Sequence, residues 1–173
     1  MAPDDEQSNY SMAKQTLFDP LEIPEHQVFR MKGEQAPAEA ASRYAVRIGD
    51  AFLGREARQF DLVLLGVGRD GHTASLFPGT EALEEGERWV VANHVPRLDQ
   101  WRVTLTYPAL CSARHVVFLA TGEEKAAIVA EAFGGLAHEP PHPCERVVPH
   151  SGRREILVDM PAAARLPQGE PHA

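Results

Sequence analysis

Apolar positions along the chain change their period several times. Ala38, Ala41, Ala45, Ile48 and Phe52 recur at three- and four-residue intervals, which predicts an amphipathic helix from Pro37 to Leu53. Pro37 suits its first turn and Gly54 its end. Tyr10, Met12, Ala13 and Leu17 gather near one face of a shorter helix predicted from Gln7 to Phe18. Pro20 and Pro24 then punctuate the chain ahead of a short strand candidate, Gln27 to Arg30. The pattern next becomes a nearly unbroken apolar run, Phe60-Asp61-Leu62-Val63-Leu64-Leu65, ending at Gly66. Such a run suits a strand covered on both faces, as in a parallel sheet. Further strands are predicted at Trp89 to Val95, Arg102 to Tyr107, His115 to Ala120 and Glu155 to Asp159. A helix is predicted from Glu123 to Phe133, closed by Gly134-Gly135, and the proline-rich Glu139 to Pro143 reads as loop. Alternating strands and helices predict one α/β domain with an open, largely parallel sheet. No linker divides residues 1–173, and 167–173 reads as a flexible tail.

Composition narrows the class without naming it. The 173 residues are 43% hydrophobic and 24% charged, which suits a globular domain and excludes collagen-like, coiled-coil and wholly disordered chains. No apolar run approaches the roughly 18 residues of a membrane span. The opening MAPDDEQSNY is acidic and polar, unlike a secretory leader. A net charge of −8 is a poor match to nucleic acid or an anionic membrane, so neither is expected as a partner. Any anionic ligand requires a local basic pocket. Cys111 and Cys144 form no CxxC pair and read as reduced thiols of a cytoplasmic protein.

The chemistry concentrates in Gly66-Val67-Gly68-Arg69-Asp70-Gly71-His72-Thr73-Ala74-Ser75-Leu76-Phe77-Pro78-Gly79. Its first six residues match GxGxxG after a strand, which raises a dinucleotide site. Pro78-Gly79 would cut the required helix short, and the next strand ends in Asn93-His94-Val95-Pro96 without the acidic ribose ligand. A loop at the carboxyl end of a buried strand is nonetheless where open α/β sheets bind ligands. Asp70 and His72 stand two residues apart on it, with a short helix expected to begin at His72. Two local readings stay open: Asp70 as a helix cap beside a turn histidine, or a carboxylate orienting a general base.

The whole segment resembles the signature loop of the 6-phosphogluconolactonases. The related glucosamine-6-phosphate deaminases share the Gly-His core but continue differently, and Ala74-Ser75-Leu76-Phe77-Pro78 is of the lactonase type. Asp4-Asp5-Glu6-Gln7-Ser8-Asn9-Tyr10 is similar to a family segment ending in Ser-Asn-Tyr. Arg102-Val103-Thr104-Leu105-Thr106, Thr121-Gly122-Glu123-Glu124-Lys125 and Asp159 with Ala162-Ala163 resemble three later family motifs in the right order.

The resemblance implies a sheet with helices on both faces and hydrolysis of 6-phosphogluconolactone to 6-phosphogluconate. It implies no redox cofactor and no metal. His72 would be the base that activates water, and Asp70 would orient it. Backbone around Gly68 and Gly71 would receive the carbonyl oxygen, and Lys125 and Arg102 would bind the phosphorylated sugar. Arg69 holds a variable loop position. His138, His142 and Cys144 lie in the proline-rich loop without a recognised ligand spacing. His26, His94, His115 and His150 are scattered, and Phe77, Phe118 and Phe133 read as core. Family members carry a strand, a Gly-Gly-Ser/Thr loop and an Asp-Glu-Arg segment ahead of Ser-Asn-Tyr, so the resemblance implies a domain shortened at its amino end, with apolar edges uncovered. A non-catalytic remnant, or a deaminase or isomerase of the same fold class, are the alternatives.

Overall fold

The computed structural model describes residues 2–5, 8–135 and 138–167. Gln7, Glu6 and, apart from Pro167, the tail predicted at 167–173 lie outside these. Ser8 caps a short helix α1 (Asn9–Ala13), its hydroxyl accepting from the Ser11 amide at 3.3 Å, and a wide turn continues it over Lys14–Phe18. The strand predicted at Gln27 to Arg30 is not formed; Glu25–Gln27 is a tight helical turn followed by irregular chain. Helix α2 (Pro37–Ala51) matches its predicted span within two residues, with Pro37 in the first turn.

Strand β1 (Val63–Gly66) is followed by an antiparallel hairpin of β2 (Val90–Val95) and β3 (Gln100–Leu105). Helix α3 (Tyr107–Cys111) takes over where the third strand was predicted to end, because Pro108 fixes a helical first turn. Strand β4 (His115–Ala120) leads through a helical turn, Glu123–Lys125, into α4 (Ala126–Phe133). Strand β5 (Arg153–Val158) precedes α5 (Met160–Ala163).

β1, β4 and β5 form a parallel sheet in the order β1-β4-β5, and the β2–β3 hairpin is separate from it. Val63, Leu65, Val116 and Phe118 point into the main core with Leu76, Leu110 and Ile128. The alternate positions face the other way: Leu64, Leu119 and Leu157 are 58%, 46% and 52% exposed. Among the described residues the apolar run of β1 is therefore covered on one face only. A second cluster places Ala41 and Ile48 of α2 against Val90, flanked by a trio of rings, Phe52, Phe60 and Trp89, with centroids 5.5–5.9 Å apart. α2 thus buttresses the hairpin. No helix among the described residues is long and apolar enough to cross a membrane.

The core also sets an alkaline limit. Burial pushes the Cys144 thiol up to about 12 and the Tyr107 phenol up to about 12, and it raises Cys111 as well. Groups raised on folding add stability that is complete below their unfolded values, about 8.5 for a thiol and 10 for a phenol, and that is lost as pH climbs toward 12. Denaturant midpoints should hold at pH 7–8 and fall steadily above pH 9. A thiol-selective disulfide reagent at pH 8 should label neither cysteine until denaturant is added; prompt labelling of the native chain would contradict this packing.

Candidate active site

The loop after β1 forms the site, and glycine is required at two places on it. A Cβ on Gly68 would strike the His72 ring and come within 2.6 Å of the Asp70 carboxylate. Gly71 has φ +76°, and a Cβ there would meet the His142 side chain at 2.6 Å. The Gly68 amide donates to the His72 carbonyl at 2.8 Å and the Gly71 amide to the Gly68 carbonyl at 2.9 Å. Both donors are engaged inside the loop, so what these glycines supply is close approach. The short helix expected from His72 is absent; Thr73 to Gly79 is a run of turns with a Thr73–Leu76 bridge.

The turns are tied down on both sides. Thr73 Oγ1 donates to the Gly66 carbonyl at 2.9 Å. From the hairpin, Thr104 Oγ1 accepts from the Ser75 amide at 3.0 Å and Asn93 Nδ2 donates to the Ser75 carbonyl at 2.8 Å. Thr104 and Asn93 are almost fully buried, so these bonds are shielded from competing water.

Held this way, Asp70 Oδ1 lies 2.5 Å from His72 Nδ1. A carboxylate can only accept, so Nδ1 carries the proton and Nε2 presents a lone pair. The ring stacks on Phe77 at 4.1 Å, which fixes its plane. Burial alone would raise the Asp70 carboxyl; the hydrogen bond and charge of His72 outweigh that and hold it below its ordinary value. Arg97, on the turn joining β2 to β3, places Nη1 2.7 Å from Asp70 Oδ2 and its guanidinium 4.8 Å from the Phe77 ring centroid. The contact is an ion pair without the alignment of a directed hydrogen bond.

Lys125, on the helical turn that follows β4, reaches the same loop, donating from Nζ to the Val67 carbonyl at 2.8 Å. Its position depends on Asp159, whose carboxylate accepts from the Gly122 amide at 3.0 and 3.1 Å and from Ala162 at 2.9 Å. Two motifs separated by more than thirty residues thus fasten together, and the lysine follows. Arg102 sits opposite Asn93 in the hairpin, half-buried, and forms no ion pair with another described residue. Asp70, His72 and Lys125 converge; Arg102 lies on the hairpin that braces them. Sequence reasoning missed Arg97, because its partner is 27 positions away and only the hairpin's fold brings them together.

Comparison with known proteins bears on the family and the fold. Residues 1–157 match the family described as glucosamine-6-phosphate isomerases/6-phosphogluconolactonase. The chain is 43% identical to human 6-phosphogluconolactonase over 164 residues, 94% of this chain and 63% of that protein. It is 40% identical to the 6-phosphogluconolactonase of Chlamydia trachomatis serovar D over 174 residues, 92% of this chain and 64% of that one. The chain therefore spans a little under two thirds of these relatives' length. The crystal structure of 6-phosphogluconolactonase from Leishmania guyanensis superposes with a TM-score of 0.78 at 29% identity, covering 94% of this chain and 70% of that one. The Trypanosoma brucei enzyme gives 0.77 at 32% identity, covering 96% and 71%. The chain belongs to the glucosamine-6-phosphate isomerase/6-phosphogluconolactonase family.

Proposed function

We propose that this chain hydrolyses 6-phosphogluconolactone to 6-phosphogluconate, with His72 as the general base. The observation that carries the proposal is the Asp70–His72 pair at the carboxyl end of β1, with Lys125 bonded into the same loop. Nε2 of His72 takes a proton from water as the water oxygen attacks the lactone carbonyl carbon. Asp70 stabilises the imidazolium that forms. Collapse of the tetrahedral intermediate breaks the ring C–O bond, and the proton on His72 passes to the departing alkoxide. One water is consumed, and the new carboxylic acid ionises at neutral pH. No step requires an electron carrier.

The half-exposed guanidinium of Arg97, 2.7 Å from Asp70, is the cation beside the dyad that we assign to stabilising charge on the carbonyl oxygen. Lys125 supplies the positive charge for the substrate phosphate that the net charge of −8 does not. A charge-assisted contact contributes roughly 1.5–3 kcal/mol, so Lys125→Met should raise KM by about 10- to 100-fold and lower kcat less. A KM unchanged in that variant would remove Lys125 from the phosphate site.

The test of the reaction itself is acid release by purified protein from freshly made 6-phosphogluconolactone, corrected for spontaneous opening in buffer. A saturable excess rate is expected. Failure to exceed buffer, with 6-phosphogluconate not binding in calorimetry, would favour a non-catalytic remnant. Ammonia release from glucosamine 6-phosphate would move the chain to the deaminase branch.

A further inference from the structure

Outside the dyad, the described residues bring together one other group of potential ligands: Glu131, His138 and His142. One ligand atom from each lies within 4.8 Å of the others. Glu131 projects from the last turn of α4; the two histidines come from the proline-rich loop that follows. Cys144 does not join them. It is buried in the main core, its thiol pushed up to about 12.

Three features favour a bound cation over a simple surface ion pair. His142 Nε2 lies 3.3 Å from Glu131 Oε2. That exceeds the roughly 2.7–2.9 Å of a charge-assisted N–H···O bond. It matches the edge of about 3.4 Å between two ligands of a tetrahedral ion held at about 2.0–2.2 Å. Next, His142 Nε2 is shielded from solvent and makes no hydrogen bond. Finally, His138 Nδ1 lies 2.7 Å from the Pro140 carbonyl. A carbonyl only accepts, so Nδ1–H donates and Nε2 is left with its lone pair. A backbone carbonyl fixing the far nitrogen in this way is the usual support of a metal-binding histidine.

We propose that Glu131, His138 and His142 form a binding site for a divalent cation of the zinc class, with a fourth position open to water. Two imidazoles and a carboxylate are ligands that suit zinc. The site has a mechanical consequence. The His142 side chain packs on Gly71, and the Cys144 amide donates to the Gly71 carbonyl at 3.0 Å. Glu145 closes the turn by accepting from the His142 amide at 2.6 Å. A cation joining α4 to His142 would therefore clamp the loop that carries Asp70 and His72, without entering the chemistry there.

The test does not depend on lactonase activity. Metal-free protein of residues 1–173 is titrated with zinc chloride by calorimetry, and with cobalt chloride while the visible absorption of tetrahedral cobalt is followed. One equivalent should bind with a rise in melting temperature. His138→Ala and Glu131→Gln should each weaken binding at least tenfold while leaving the far-ultraviolet circular dichroism unchanged, and His72→Gln should not affect it. Absence of saturable binding, or binding retained in the Glu131→Gln/His138→Ala double variant, would overturn the site. Loss of binding in His72→Gln would place the cation at the dyad instead and overturn it equally.

Discussion

His72→Ala should lower kcat for lactone opening by about 10²–10⁴-fold, with KM nearly unchanged. A positioned general base is worth that factor, roughly 2.7–5.5 kcal/mol of barrier. In the proposed mechanism His72 acts on the attacking water and not on the phosphate, so the loss falls on the transition state. Asp70→Asn tests the same unit from the other side. An amide can turn its NH₂ toward Nδ1 of His72, now 2.5 Å from the carboxylate, and select the tautomer whose Nε2 carries hydrogen. The base is then blocked with its geometry intact, and a loss of up to roughly 10⁴-fold is expected. Because the two residues act as one unit, the double variant should be little worse than the poorer single one. Proton release at constant pH, after subtraction of the buffer rate, measures all three. A His72→Ala variant that turns over at the unmodified rate would remove the base from this mechanism.

Much of the fold and of the candidate site is legible in the sequence, and the reasons are physical. The α2 helix shows in the spacing of Ala41, Ala45 and Ile48, because a helix packed on one side must repeat its apolar positions. β4 shows for a different reason. His115 to Ala120 is the central strand of its sheet, and a strand with neighbours on both edges is apolar along most of its length. The dyad is local: two residues, one loop, a spacing of two. What stayed hidden is what two distant segments decide together. Lys125 is read as a helix-start lysine, yet its reach to Val67 requires the parallel pairing of β1 and β4. Arg97 needs the hairpin turn, and the Glu131–His138–His142 group needs a loop to fold back on α4. In each case the residue type was visible and its partner was not. The separation of the hairpin from the parallel sheet was equally out of reach, since β2 and β3 alternate much like strands of one continuous sheet.

The largest expected loss of stability lies in the layer beneath the site. Phe118 is fully buried in β4, beside Leu65 of β1 and Ile156 of β5, with the Phe133 ring 5.3 Å away. Its removal takes away a large apolar area and leaves a cavity that a strand bonded on both edges cannot close. Phe118→Ala should cost about 3–5 kcal/mol. Against a typical total of about 5–15 kcal/mol, that is enough to shift the denaturation midpoint far while leaving the denaturant slope unchanged. Leu157→Ala supplies the contrast. It lies on the next strand and has a similar character, but is 52% exposed on the opposite face, so it should cost under about 1 kcal/mol. Equal losses from the two variants would mean that the outward face is buried in solution and that the sheet is covered on both sides after all. The effect should also reach the chemistry. β1 delivers Gly66 to the dyad loop and β4 delivers Thr121-Gly122 to Lys125, so Phe118 holds the two strand ends at the separation the site requires. In Phe118→Ala, kcat should therefore begin to fall at denaturant concentrations well below those that affect the unmodified chain, in step with the loss of folded protein.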